Sequence, residues 1–140
     1  MANTLYDKAR QRFLEGQINW NTDTIQVLLI DTGVYTPNFS GHEFLSDVGT
    51  SARIGPGGTQ VGVTMTGKAT TGGAADAADV TFTSVSGPSI EAILIYKWTG
   101  DQSTSPLIAF IDTGTGLPIT PNGGDIIVTW DNGPNKIFKV

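Results

Sequence analysis

The chain has no cysteine, a single histidine and few charged residues, and these shortages limit the kinds of site it can form. Without cysteine, its 140 residues make neither disulfides nor thiolate metal centres. A zinc site would need His42 with carboxylates only, which is an uncommon ligand set. A nucleophilic triad would also need His42, and the chain lacks the GxSxG pattern of serine hydrolases.

Positive charge is also scarce, because 8 Lys and Arg stand against 13 Asp and Glu, for a formal net charge of -5. An acidic chain without a basic cluster is poorly suited to binding nucleic acid. The apolar runs stay well below the roughly 20 residues of a membrane-spanning helix, so no membrane partner is expected. The start MANTLYDKAR lacks the apolar core of a signal peptide, and we therefore expect synthesis in the cytoplasm.

The longest strongly apolar run, Ile90–Trp98, predicts a central β-strand. Gly87-Pro88 stands before it and Thr99-Gly100 after it, and the run is rich in β-branched and aromatic residues. Both faces of this strand would carry apolar side chains, while Glu91 and Lys97 lie near its ends, where water reaches them. We therefore predict a strand that is covered on both sides through its middle.

Further strands are predicted where apolar runs end in turn residues. The candidates are Ile25–Ile30, Val61–Met65, Val80–Val85, Leu107–Asp112, Asp125–Trp130 and Lys136–Val140. Val61, Val63 and Met65 alternate with polar residues, which indicates a strand with one buried face. Turns are predicted at Thr113–Gly116 and at Asp131–Pro134, and the second is typical of a hairpin.

Residues Asn3–Glu15 form the predicted helix. Its apolar stripe consists of Leu5, Tyr6, Ala9, Phe13 and Leu14. Thr4 is the predicted N-cap, with Asp7 three positions later in a capping-box relation. Gly16 is the predicted end of the helix.

About eight strands, with turns roughly every 8–12 residues and one preceding helix, predict a mainly β protein. The expected architecture is an antiparallel β-sandwich or a jelly-roll-like barrel. A parallel α/β sheet is disfavoured because no helix is predicted between strands. We expect residues 1–16 to form an N-terminal helix or arm and residues 17–140 to form a single β domain.

Two short segments are similar to each other, LLIDTG at 28–33 and AFIDTG at 109–114, and they resemble a catalytic motif. An apolar run followed by Asp-Thr-Gly resembles the active-site strand of aspartic peptidases, in which two carboxylates share a proton and activate a water. Asp31 and Asp112 would form this pair. The motif here continues with Val34 and Thr115 instead of Ala or Ser, and no apolar-apolar-Gly segment follows either copy. We favour the simpler interpretation that Asp and Gly end buried strands at turns.

Besides catalysis by Asp31 and Asp112, calcium binding and aromatic stacking on a ligand are two further possible functions. The carboxylates that calcium would use are Asp76 and Asp79 together with Asp47 or Glu43, although no EF-hand spacing occurs. The aromatic residues available for stacking on sugars or bases are Tyr6, Trp20, Tyr35, Tyr96, Trp98 and Trp130. Their alternation along strands favours a core position for Trp98 and Trp130. We predict no catalytic residue, no metal ligand and no cofactor.

Several segments share a pattern with known proteins. They are ANTLYDKARQRFLEGQINW, HEFLSDV, ADAADVTFTSVSG, IEAILIYK and GLPITPNGGDIIVTWDNGPNKIFKV. In these segments the chain resembles a group of small tailed-bacteriophage proteins, and the likeness extends over nearly all of its length. Small Gly/Thr-rich β proteins of this kind are similar to head decoration, or cement, proteins, which bridge neighbouring coat subunits, often as trimers.

The resemblance implies a virion structural protein without catalytic residues. The expected partners are the major capsid protein and further copies of the chain, as a trimer, on the capsid surface of the virion. A tail, neck or baseplate component is the alternative. The helix and the final strand Lys136–Val140 are the segments expected to reach a neighbour, unless they pack on the chain's own sheets.

Overall fold

A computed structural model describes residues 4–112, 117–130 and 137–139. The regular elements in chain order are β1 (Thr4–Leu5), α1 (Asp7–Leu14), β2 (Ile25–Ile30), β3 (Arg53–Ile54), β4 (Val63–Thr64), β5 (Ala74–Ala75), β6 (Val80–Phe82), β7 (Ala92–Lys97), β8 (Leu107–Ile111), β9 (Ile126–Val128) and β10 (Phe138–Lys139). All strand pairs are antiparallel. The predicted mainly β fold with one helix is confirmed for the described residues.

Six strands form the main sheet, in the order β1-β8-β7-β2-β3, with β4 also paired to β2. The β7 strand lies at the centre, and it pairs with β2 from Ile25↔Lys97 to Ile30↔Ala92. On its other side β7 pairs with β8, with a register shift after Ile95. The predicted central strand is therefore confirmed.

The three central strands are apolar along most of their length because the sheet is covered on both faces, and the polar exceptions are Gln26 in β2 and Lys97 at the end of β7. Every residue of β2 and β8 is buried, and so is β7 from Ala92 to Tyr96. A sheet with one wet face would instead alternate apolar and polar residues. Glu91 and Lys97, at the ends of the β7 segment, are only partly buried, as predicted.

Two smaller ribbons complete the strand pairing, one between β5 and β10 and one between β6 and β9. The final strand is confirmed at Phe138–Lys139, and it pairs with the chain's own β5. The Phe138 ring packs edge-on against Trp20, with 5.2 Å between ring centroids. The turns predicted at Thr113–Gly116 and Asp131–Pro134 lie outside the described residues.

The helix is shorter than predicted. Thr4 belongs to β1, which pairs with β8, and the helix begins at Asp7 after the N-cap residue Tyr6. The predicted capping box is wrong, because no side chain caps this helix and Thr4 is held in a strand. Gly16, with φ of 72°, follows the helix as predicted. Within the described residues, no helix has the length and apolarity needed to cross a membrane.

The N-terminal segment packs on the body of its own chain. The backbone N–H of Tyr6 donates to the carbonyl of Ile108 at 3.0 Å, extending the contact between β1 and β8. Leu5, Tyr6 and Ala9 are buried in the common core, whereas Leu14 is 85% exposed, so its predicted place in the apolar stripe is wrong. Residues 4–14 therefore close one side of the main sheet.

The strand predicted at Val61–Met65 is reduced to the two residues of β4. Val61 is 65% exposed, so its predicted inward orientation is wrong, while Met65 is buried. The cause is a tight turn at Pro56–Gly58, in which the N–H of Gly55 donates to the carbonyl of Thr59 at 2.6 Å. The chain re-enters the sheet only after this turn.

Candidate functional site

The two Asp-Thr-Gly copies lie at one end of the main sheet. The β2 and β8 strands run in the same direction, antiparallel to β7, so Asp31 and Asp112 leave the sheet at the end where β7 begins. Glu91, the residue before β7, lies between them along this end. The strand order thus brings three acidic residues to the same end of the central strands.

A cleft of about 260 Å³ opens at this end, and we call it the acidic cleft. Its lining residues are Thr32, Tyr35, Thr36, Pro37, Glu91, Phe110 and Asp112. Asp31, the first member of the predicted pair, is not among them. The cleft therefore holds Asp112 and Glu91, a combination that the sequence motif did not indicate.

Hydrogen bonds fix Glu91 as an acceptor. Its Oε1 accepts from the backbone N–H and the hydroxyl of Thr32, each at 3.0 Å, and its Oε2 accepts from the Ser89 hydroxyl at 2.5 Å. The bond from Ser89 is the largest of the causes that hold the pKa of Glu91 below its ordinary value. A carboxylate stabilised in this way is a poor proton donor near neutral pH.

Asp31 has a structural role that accounts for its motif. Its Oδ1 accepts from the backbone N–H of Gly33 at 2.9 Å, and its carbonyl accepts from the N–H of Val34. These bonds make the turn by which β2 leaves the sheet, as the simpler interpretation predicted for this copy. In the second copy, residues 113–116 lie outside the described part, so its turn stays a prediction.

The geometry does not support an aspartic dyad. The β7 strand separates β2 from β8, and two strand spacings place the backbones of Asp31 and Asp112 about 10 Å apart. Sharing one proton needs the two carboxyl groups to be in direct contact. Asp112 Oδ1 is enclosed and has no hydrogen-bond partner among the described residues, whereas the carboxylate of Asp31 is engaged by its own turn.

We predict that the purified chain does not cleave an unfolded protein substrate at pH 3–6, where a shared-proton dyad would work. The Asp31→Asn and Asp112→Asn variants should likewise show no cleavage. The measurement is the release of peptides over hours, with an aspartic peptidase as the positive control. Cleavage by the wild type that disappears in both variants would overturn this prediction and establish the dyad.

His42 anchors a loop. Its Nδ1 accepts from the backbone N–H of Asn38 at 3.0 Å and lies 2.9 Å from the Tyr35 hydroxyl. Because a backbone N–H can only donate, Nδ1 carries no proton here, and Tyr35 donates to it. The Tyr6 hydroxyl then donates to that of Tyr35 at 2.8 Å, and burial raises the pKa of Tyr35 to about 12. The imidazole thus links its loop, through Tyr35, to Tyr6 at the N-cap position of α1.

Three of the four candidate calcium ligands are engaged in local side-chain contacts, while Asp76 is held through its backbone, in a bridge with Ala69. Glu43 forms an ion pair with Arg12 at 2.5 Å, Asp47 accepts backbone N–H groups, and Asp79 accepts from the N–H of Trp130 at 3.3 Å. Within residues 4–112, 117–130 and 137–139, no group of three or more His, Asp and Glu side chains is arranged to hold a metal ion.

Asp47 closes the turn that precedes it. Its Oδ2 accepts from the N–H of Glu43 at 2.8 Å and of Phe44 at 3.0 Å, and the bond from Glu43 is the first cause of its lowered pKa. A lowered folded-state pKa gives stability that is complete above the unfolded value of about 4 and is lost as pH falls through the folded value. Asp47→Asn should therefore lower the free energy of unfolding at pH 7, by less than about 1 kcal/mol because the side chain is exposed.

Urea denaturation between pH 2 and pH 7 measures this effect. The variant should lose part of the acid dependence, so that the two stability curves converge at the lowest pH. Asp7→Asn, which removes a charge from an exposed helix position, is the matched control and should change stability less. Parallel curves for wild type and Asp47→Asn would contradict the assignment.

Two of the three tryptophans belong to the core. Trp20 and Trp130 are buried, and their indole N–H groups donate to the carbonyls of Asp76 at 3.0 Å and Ala78 at 3.1 Å. Trp98 is only partly buried and lines a different cavity. The predicted core position is thus confirmed for Trp130, while Trp98 packs only partly against the core.

No protein-family profile matches this chain, and no curated protein is significantly similar to it.

Proposed function

We propose that the chain is a non-enzymatic structural protein of a tailed-phage virion, acting as a capsid decoration protein that bridges and stabilises coat subunits. The observation that carries this proposal is the resemblance of long segments of the chain to small tailed-phage proteins. A tail, neck or baseplate component is the second candidate, because the same resemblance extends to structural proteins of the whole particle.

The core of the main sheet is consistent with such a role. A protein that bridges subunits must transmit load without deforming, and here the three longest strands are buried on both faces. Each fully buried aliphatic side chain contributes roughly 1.5–3 kcal/mol relative to an exposed one.

The surface that we assign to the coat contact is the β6–β9 ribbon. Ile127 is 63% exposed on β9, opposite the exposed Thr81 of β6. Among the described strands, β9 pairs only with β6, and we assign its other edge to strand addition by a neighbour. The helix and β10, which the sequence favoured as reaching segments, pack on their own chain and are less suited to this contact.

Several copies of a weak contact with the coat can together hold the protein on the shell. A trimer of the chain on an ordered shell presents several such ribbons at once, and simultaneous contacts raise the overall affinity without new interactions. The resemblance implies a trimer, so we expect self-association, which light scattering of the purified chain measures as a mass near three times 14.7 kDa.

Immunogold electron microscopy of intact virions tests the assignment. Label over the head is the expected result. Label confined to the tail or neck would keep the structural class and replace decoration by the second candidate. Particles that carry no label would refute the virion role.

Rebinding to particles that lack the protein tests the ribbon. Ile127→Asp should bind at least tenfold more weakly than the wild type, because it places a charge in an apolar contact. Val34→Asp is the matched control, since Val34 is also exposed, at 54%, but lies outside the ribbon. Equal binding by both variants would place the contact elsewhere on the surface.

A further inference from the structure

A second cavity, of about 230 Å³, lies beside β2 and β7. Its lining residues are Gln26, Leu45, Arg53, Gln60, Val61, Gly62, Tyr96, Trp98 and Gln102. We call it the Arg53 cavity. None of these residues is acidic, although the chain as a whole has a net charge of -5. The cavity therefore presents one buried positive charge and several hydrogen-bond donors.

Arg53 is buried without a carboxylate partner among the described residues. It opens β3, opposite Ile30 of β2, and is 6% exposed. Its Nε donates to the carbonyl of Val48 at 2.9 Å, and its Nη2 donates to the carbonyls of Leu45 at 2.9 Å and Val48 at 2.5 Å. Buried guanidinium groups are usually paired with an anion, because carbonyl dipoles replace only part of their hydration.

The remaining nitrogen of Arg53, Nη1, has no hydrogen-bond partner among the described residues. Arg12 Nη1 also lacks a partner but is fully enclosed, whereas Arg53 Nη1 is not. Arg53 Nη1 therefore keeps some accessible surface, and Arg53 is one of the residues that line the cavity. Two N–H donors of a buried cation are thus left without a protein partner in a residue that borders an open space.

Trp98 supplies a further donor. Its indole N–H has no hydrogen bond within the described part of the chain, whereas those of Trp20 and Trp130 donate to backbone carbonyls. Trp98 also forms a wall of the cavity and packs edge-on against Tyr96, with 6.4 Å between ring centroids. The ring is held by the core while its polar atom stays free.

The floor of the cavity is fixed by hydrogen bonds, and its rim is open. The Tyr96 hydroxyl donates to Gln26 Oε1 at 2.8 Å, and Gln26 Nε2 donates to the Thr64 hydroxyl at 3.1 Å. Gln60 and Gln102, at the rim, are exposed and carry amide donors. A ligand can therefore enter from solvent past Gln60 and Gln102 and meet a floor whose side chains are held in place.

We infer that the Arg53 cavity binds a carboxylate group, supplied by a small free acid or by an Asp or Glu side chain of another protein. Because Arg53 and Trp98 line the same cavity, one carboxylate would accept a charge-assisted hydrogen bond from Arg53 Nη1 and a second hydrogen bond from the Trp98 indole N–H. The volume is below the roughly 300–1,000 Å³ of drug-sized ligand sites, which limits the ligand to a few heavy atoms. This site does not depend on the virion role.

A nitrogen-15 NMR titration of the full chain tests the site, with sodium acetate as the probe and sodium chloride at matched ionic strength as the reference. Acetate should shift the indole N–H signal of Trp98 saturably. The indole signals of Trp20 and Trp130 should not move, because their N–H groups are already bonded inside the protein. No saturable shift of Trp98, or an equal shift in chloride, would overturn the inference.

Two variants identify the donors. Arg53→Gln should abolish acetate binding, but Arg53 also braces residues 45–48, so its loss can disturb the fold. Trp98→Phe keeps the ring and removes only the N–H, and it should weaken binding about tenfold, followed through the Gly62 amide signal. Arg10→Gln, which removes an exposed charge from α1, should bind acetate like the wild type. Unchanged affinity in Trp98→Phe would rule out the proposed geometry.

Blocked amino acids distinguish the two sources of the carboxylate. Glutamate capped at both backbone ends should compete with acetate if the natural ligand is a protein side chain, whereas its glutamine counterpart should not. Binding of acetate without the capped glutamate would assign the site to free small acids. Equal binding of the glutamine compound would show that charge is not recognised and would refute the carboxylate assignment.

Discussion

Leu94→Ala is expected to lower the free energy of unfolding by about 3 kcal/mol. Leu94 lies at the middle of the central strand, is fully buried, and is paired with Leu28 on one side and Phe110 on the other. Hydrogen bonds to both neighbouring strands hold the backbone in place, so the surroundings cannot collapse into the space that the leucine leaves. The lost burial and the residual cavity therefore both contribute, and urea denaturation measures their sum.

Leu14→Ala removes the same atoms from a position that is 85% exposed. It should change the free energy of unfolding by no more than about 0.5 kcal/mol. The difference between the two variants is dominated by burial, because the same atoms are removed and the propensity of alanine for helix or strand changes stability by less than about 1 kcal/mol. A comparable loss from both would show that the stability of the chain does not reside in the central sheet.

The central strands were predictable because their signal is local. The runs at Ile25–Ile30, Ile90–Trp98 and Leu107–Asp112 are apolar, β-branched and bounded by turn residues, and each became a strand of the main sheet. Burial on both faces could also be read from the absence of alternation. In these segments, local preference and tertiary environment favour the same structure.

The N-terminus was mispredicted because a distant partner determines its structure. Thr4 is a good capping residue on local grounds, but it pairs with Phe110 in the main sheet, and this pairing moves the start of the helix to Asp7. Leu14 fits the apolar periodicity of a helix, yet the helix ends where no surface covers that side chain. Tertiary contacts of this kind override propensity and leave no mark in the nearby sequence.

The candidate sites depend even more on strand order. Asp31 and Asp112 share a motif, but the insertion of β7 between their strands separates them and brings Glu91 into the acidic cleft with Asp112. Arg53 looks like an ordinary surface cation in the sequence. Its burial follows only from its pairing with Ile30 and from the fold of residues 45–48 around its guanidinium.

Gly55 marks a place where two backbones meet. Its φ of -120° and ψ of -168° are open to any residue, so the position does not need glycine for its conformation. Space is the constraint, because a Cβ at Gly55 would stand well inside 3.0 Å of the carbonyl oxygen of Val61 and 3.2 Å from that of Thr59. These are backbone atoms, which cannot rotate away as a side chain would.

Gly55→Ala should therefore lower the free energy of unfolding by about 2–3 kcal/mol, because the turn must open to admit one methyl group. Gly49→Ala is the matched control, since Gly49 also has a negative φ and nothing lies within 4 Å of its added Cβ. Both changes restrict the unfolded chain equally, so the control should be unchanged or stabilised by up to about 1 kcal/mol. The difference in unfolding free energy between Gly55→Ala and Gly49→Ala, obtained by thermal or urea denaturation, therefore measures the steric clash at Gly55. Equal stability of the two variants would mean that the backbone of Val61 does not approach Gly55, and the rim of the Arg53 cavity would then have a different shape.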